Sequence, residues 1–166
     1  MRATLRLSLL ALSIAPLPAA AAELPDVIAA PGEALVATVN AVGAQVYECK
    51  TNGAGQLMWN FREPIATLLV GGKTVGRHYA GPYWEMSDGS AVGAKVAGRA
   101  SATSARDIPL LKLDVTARRG EGQLYEVTTI QRINTRGGVA AGPCESAGVL
   151  LSVPYTADYA FYRKRD

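Results

Sequence analysis

The tract from His78 to Asp88 carries the densest mix of reactive side chains in the chain. It holds the single histidine, the aromatics Tyr83 and Trp84 beside Tyr79, and two carboxylates (Glu85, Asp88) within eleven residues. Imidazole is the side chain whose unperturbed pKa lies near neutrality, so a histidine with a carboxylate partner can act as general acid and base. That chemistry describes a small periplasmic hydrolase or lyase using His78 with Glu85 or Asp88. A pair of carboxyls about 5–9 Å apart is also the equipment of glycoside cleavage, and Glu85 with Asp88 is the candidate pair. Two observations count against catalysis. Asp88 precedes Gly89, and Asp-Gly turn chemistry accounts fully for that aspartate. Ser87 and Ser90 lack the strand–turn–helix setting of a nucleophile elbow, so no nucleophile is fixed beside His78.

The leading reading is therefore a non-enzymatic binding module using residues 76–90. His78, Tyr83, Trp84, Glu85 and Asp88 form its recognition surface, folded back by Gly81-Pro82 and Asp88-Gly89. Trp84 is expected at the surface near the end of a hairpin. The ligand would be a small molecule, a carbohydrate or a protein. The other aromatics, including Trp59, Tyr125, Tyr155 and Tyr159, fall on strand-like segments and read mainly as core. Neither a Cys-x-x-Cys pair nor a His-x-x-x-His pair occurs, so no metal or haem site is expected, and no cofactor.

The elements that must position this tract read as strands. Short apolar runs are split by Gly, Pro, Asn and Asp, giving some eight to ten short strands. Leu35, Ala37, Val39 and Ala41 alternate as a half-buried strand. Asn40 to Gly43 then reads as a turn, after which Gln45, Tyr47 and Cys49 share a face. Ile65 to Val70 is continuously apolar, as in a strand buried on both faces or a short helix. Asp88-Gly89 predicts a two-residue hairpin that sets Met86 against Ala91 and Trp84 over Gly93. Gly98 to Asp107 reads as a loop, Leu111 to Thr116 as a strand, and Leu124 to Ile133 as a strand with a bulge near Thr128. Tyr155 to Tyr162 is a final amphipathic strand. The fold class is all-β, a single-domain antiparallel β-sandwich or small closed β-barrel. An eight-stranded outer-membrane barrel shares the pattern. It is disfavoured by the short strands, the glycines in the apolar faces, and the terminal Arg163-Lys164-Arg165-Asp166.

Residues 1–22 read as a secretory signal peptide. Arg2 and Arg6 form a basic start, Leu7 to Pro18 is almost wholly apolar, and Ala19 to Ala22 supply the small residues for cleavage. Residues 23–32 would be a flexible leader and 33–166 the single β domain, exported to the periplasm or the medium. No later apolar run is long enough for a transmembrane helix. In an oxidising compartment the two cysteines, Cys49 and Cys144, are expected to pair. A loop of that length is worth about 4–5 kcal/mol in the chain-entropy model. The chain has 17 basic and 14 acidic side chains, and losing Arg2 and Arg6 brings it close to neutral. With the remaining basic residues scattered, nucleic acid is not an expected partner.

The segment Gly76-Arg77-His78-Tyr79-Ala80-Gly81-Pro82-Tyr83-Trp84-Glu85, followed by Asp88-Gly89-Ser90, resembles the core signature of a secreted bacterial and fungal family, domain of unknown function 3455. Gln45 to Cys49, Pro64 to Leu68, Ile108 to Leu111, Gln131 to Gly138 and Tyr155 to Tyr159 match it in the same order. The resemblance covers nearly all of the chain after the leader and implies no established activity. Some fungal proteins of this kind carry a dehydrogenase label. The chain gives that label no support, having no Gly-x-Gly-x-x-Gly after a strand and no βαβ pattern.

Overall fold

Strand alternation decides the architecture: one side of each strand is apolar enough to bury, and a single sheet buries that side by curling onto itself. The computed structural model describes residues 24–165; the predicted signal peptide at 1–22 lies outside them. A short 3-10 turn, Asp26–Ile28, precedes eight strands. They are β1 (Ala34–Thr51), β2 (Leu57–Val70), β3 (Lys73–Tyr79), β4 (Tyr83–Met86), β5 (Ala91–Ala100), β6 (Leu110–Arg119), β7 (Thr129–Gly137) and β8 (Leu150–Arg163). Each pairs antiparallel with its neighbour in sequence, and β1 pairs with β8 to close the ring. Of the two all-β architectures expected, the protein is the closed barrel. Among the described residues no helix is long and apolar enough to cross a membrane.

Eight strands leave an interior just wide enough for side chains to fill. Here Val39, Leu68, Trp84, Val92, Ile130 and Phe161 fill it, all essentially inaccessible. Each such burial stabilises by roughly 1.5–3 kcal/mol relative to exposure. On the outer face Asn40 and Asn134 both donate to the Asp158 carboxylate.

Several local expectations need correction. Asn40 to Gly43 is not a turn but the middle of an 18-residue strand. Gly43 is there for space: a Cβ on it would lie 2.0 Å from the Ile65 carbonyl of β2. Ile65 to Val70 is not buried on both faces. Ala66 and Leu68 point inward while Ile65 and Thr67 are exposed. Leu124 to Thr128 is not strand. Its backbone closes turns through Tyr125 N–H to Gly122 O and Val127 N–H to Leu124 O. Leu124 and Val127 are fully buried there and seal that end of the barrel.

The β4–β5 hairpin forms with a register one residue away from expectation. Tyr83 faces Gly93, Trp84 faces Val92 and Glu85 faces Ala91. Ser87, Asp88 and Gly89 make a three-residue loop, with Gly89 at φ +88°. A type I turn followed by a left-handed glycine accommodates the strand twist as well as a two-residue turn does. It is consequently Tyr83, not Trp84, whose ring covers Gly93.

Within residues 23–32, Ile28 is fully buried and packs outside the ring, and its carbonyl accepts a 2.6 Å hydrogen bond from Gln131 Nε2. Gly98 of β5 admits this segment, since a Cβ would lie 2.0 Å from the Val27 carbonyl. Cys49 and Cys144 are bonded, with Cα atoms 5.8 Å apart, inside the usual disulfide range. The bond ties β1 to the long β7–β8 connection, and Cys49 N–H also donates to Val149 O. A structural disulfide is compatible with an extracellular location.

Candidate functional site

An up-and-down barrel puts alternate connections at the same end. The β2–β3, β4–β5 and β6–β7 connections gather at one end, sealed by Leu124 and Val127. The β1–β2, β3–β4, β5–β6 and β7–β8 connections gather at the other. Near that second end lies a cavity of about 370 Å³. Ile108, Leu111 and Leu113 are among its apolar lining residues, together with His78, Trp84 and Tyr159.

The ring has a notch on this side. β3 pairs with β2 only from Ala66 to Val70, and β4 pairs with β5 only as far as Gly93. The β3–β4 tip therefore stops below the outer halves of β2 and β5. Phe61 and Val96 line the cavity at this level and are 54% and 49% exposed. Apolar side chains left open at a cavity rim are suited to receiving an apolar molecule.

The deep wall is built from cross-strand neighbours. His78 pairs with Trp84, so their rings share the inner face and stack with centroids 4.3 Å apart. Tyr159 of β8 meets both rings edge-on at 5.1 Å. His78 Nδ1 lies 2.8 Å from the Tyr83 carbonyl. A carbonyl only accepts, so Nδ1 carries the proton and Nε2 is left as an acceptor. Burial pushes the His78 pKa down to about 3, outweighing the hydrogen bond to Tyr83, and the Arg132 charge lowers it further. The ring is neutral near pH 7 and poorly matched to general acid–base work there.

Arg132 of β7 enters the same cavity beside Tyr159, its β8 partner. Its Nε donates to the Pro109 carbonyl at 3.0 Å. The Gln45 amide nitrogen, the Trp84 indole nitrogen and the Tyr155 and Tyr159 hydroxyls are buried without a well-formed hydrogen bond. Tyr155, Tyr159 and Gln45 lie near enough to influence one another. Burial raises both tyrosine pKa values, so both hydroxyls stay protonated.

The sheet splits the tract singled out from sequence. His78 and Trp84 face the cavity, and Trp84 is 1% exposed, not the surface residue expected. Its neighbour Val92 and the stacked His78 enclose it on the inner face. Tyr83 and Glu85 point outward. Glu85 accepts from Tyr79 Oη at 2.7 Å and Arg77 at 2.9 Å, and pairs with Arg119. These contacts, led by Tyr79, hold its carboxyl below the usual range. Asp88 sits at the sealed end. It accepts from Gln123 N–H at 2.8 Å and from Ser90, which lowers its pKa and clamps the β4–β5 loop to the β6–β7 turn. His78 thus converges with neither carboxylate.

Arg132, Gln45 and Tyr159 complete the site without having been singled out as site residues. A sequence signal for Arg132 existed: it shares strand parity with the core residue Ile130.

The fold and site define a class: an apolar-filled, up-and-down, eight-stranded barrel, sealed at one end and holding a cavity toward the other. The chain belongs to the family described as protein of unknown function (DUF3455), whose model matches residues 30–163 and so spans all eight strands. No curated protein and no solved structure matches the chain.

Proposed function

We propose that this protein is an exported, non-enzymatic binding module that holds a small, largely apolar molecule in the barrel cavity. The observation that carries the reading is the notch-opened cavity of about 370 Å³, apolar for most of its wall, with a few polar side chains, Gln45, His78, Arg132 and Tyr159, among its lining residues. Preformed apolar pockets of this size with sparse polar groups are the usual form of a small-molecule site. The binding residues are His78 and Trp84 from the tract first singled out, joined by Tyr159, Gln45 and Arg132. Tyr83, Glu85 and Asp88 support the scaffold around it. Among the described residues the cavity wall has no Ser, Thr, Cys, Asp or Glu. Binding without turnover is therefore the reading its chemistry favours. Export accords with the disulfide and with the signal-like residues 1–22.

The test uses the neutral fluorophore N-phenyl-1-naphthylamine on the disulfide-intact protein. Saturable fluorescence enhancement is expected, and Val96→Trp at the rim should abolish it without lowering the thermal midpoint. Absence of saturable binding overturns the reading, as does binding indifferent to the rim substitution.

A further inference from the structure

We propose that the bound molecule carries a single anionic head of carboxylate type on its apolar body, and that Arg132 is the counter-charge that receives it. This rests on the container reading above.

Arg132 differs from the cations that surround Glu85 and Glu48. On the outer face Arg77 and Arg119 both pair with Glu85, and Arg62 pairs with Glu48 and Glu63. Arg132 has no carboxylate within ion-pair distance among the described residues. Its Nε donates to the Pro109 carbonyl, and the Tyr159 hydroxyl lies against the guanidinium, so neutral groups orient it and no carboxylate neutralises it. A guanidinium in that state matches a carboxylate bidentately. A partly buried cation without a counter-charge is unfavourable, so an anion brought to it gains more than it would in water.

The neighbouring groups have the same bias. The amide nitrogen of Gln45 and the indole nitrogen of Trp84 are donors without a well-formed hydrogen bond, and the Tyr159 hydroxyl can donate. No acidic side chain lines the wall among the described residues, and Arg99 adds a second positive charge among the lining residues. The positive charge of Arg132 is felt by Tyr47, His78, Tyr155 and Tyr159 alike, which places its field across the whole polar side of the cavity. A site of donors around Arg132, with Arg99 also in the lining and no carboxylate, set in an apolar wall, selects an amphipathic anion over its neutral counterpart. A sugar is disfavoured because its many hydroxyls would meet that wall unpaired.

The experiment compares decanoate with decanol, equal in chain length, as competitors of N-phenyl-1-naphthylamine at neutral pH. Decanoate should displace the probe at about tenfold lower concentration than decanol. With each competitor referred to the probe's own affinity for that variant, Arg132→Gln should cut the decanoate-over-decanol preference by about tenfold, while Arg132→Lys should retain most of it. Equal displacement by acid and alcohol in the unsubstituted protein overturns the head-group assignment, and needs no variant to fold. So does an Arg132→Gln protein that weakens both competitors alike. If the probe itself fails to bind, it is the container reading that falls.

Discussion

The two faces of the β3–β4 hairpin come from one short stretch of chain and do opposite things. Outward, Arg77, Tyr79, Glu85 and Arg119 form a hydrogen-bonded ion cluster in which the carboxylate is satisfied. Inward, His78 and Trp84 stack against Tyr159 in a dry environment where the indole nitrogen has no partner. Residues adjacent in sequence are thus separated by the sheet itself, because a strand sends successive side chains to opposite faces. Chemical density along a strand is a poor guide to a site. Density along alternate positions of several strands is the better one, and it leads to His78, Trp84, Arg132 and Tyr159.

That contrast can be broken most forcefully at Trp84. Trp84→Ala should lower stability by about 3–5 kcal/mol, read as a fall in thermal midpoint, because a large ring leaves a closed interior. An unchanged midpoint would place Trp84 outside the core.

The next effect is on pH dependence. An unfolded His78 takes up a proton below about pH 6.5, whereas the folded ring resists until about 3. Stability is therefore fully present above pH 6.5 and falls by about 1.4 kcal/mol per pH unit below it. Glu85 and Asp88 have lowered folded pKa values, so their contribution is present above their unfolded values and fades only as pH falls through the folded ones. The window between about pH 6.5 and 4.5 belongs to His78. Denaturant midpoints across that window should slope in the unsubstituted protein and flatten in His78→Gln. Parallel slopes would show that the ring is not held neutral.

Gly89 tests the loop that joins the two faces. Its surroundings are open, so the effect of Gly89→Val comes from backbone conformation alone and should exceed about 1 kcal/mol. A neutral thermal shift would contradict the left-handed geometry.

Smallest of all should be Glu85→Gln. The cluster is solvent-screened, and surface ion pairs contribute little. Its midpoint shift should be slight and shrink with added salt. A loss comparable to that of Trp84→Ala would erase the distinction between the faces.

Much of the architecture is legible in the residues. Alternation marks the strands, Asp88-Gly89 marks a hairpin, and the paired cysteines mark a bridge. What escapes is whatever depends on distant partners. Asn40 to Gly43 has turn chemistry, yet β2 and β8 pair with it on both sides and carry the strand through. Sandwich and barrel differ by one contact, β1 with β8, between the two ends of the chain. The site escapes for the same reason, since Arg132 and His78 meet only after the ring closes. The hairpin loop escapes differently: two-residue and three-residue turns both accept Asp-Gly, and the choice shifts every facing pair by one.

The seam itself has a consequence in time. Ala34 pairs with Arg163, so closure waits for the first strand to find the last. Until then the molecule is an open sheet with two bare edges, and long-range closure of this kind is slow. A bare edge is a template on which another copy can add. The Cys49–Cys144 bridge joins β1 to the connection leading into β8, and so keeps the two edges close while the chain is still searching. A chain oxidised before closure would therefore associate less with its copies than a reduced one, a difference that light scattering during refolding would read.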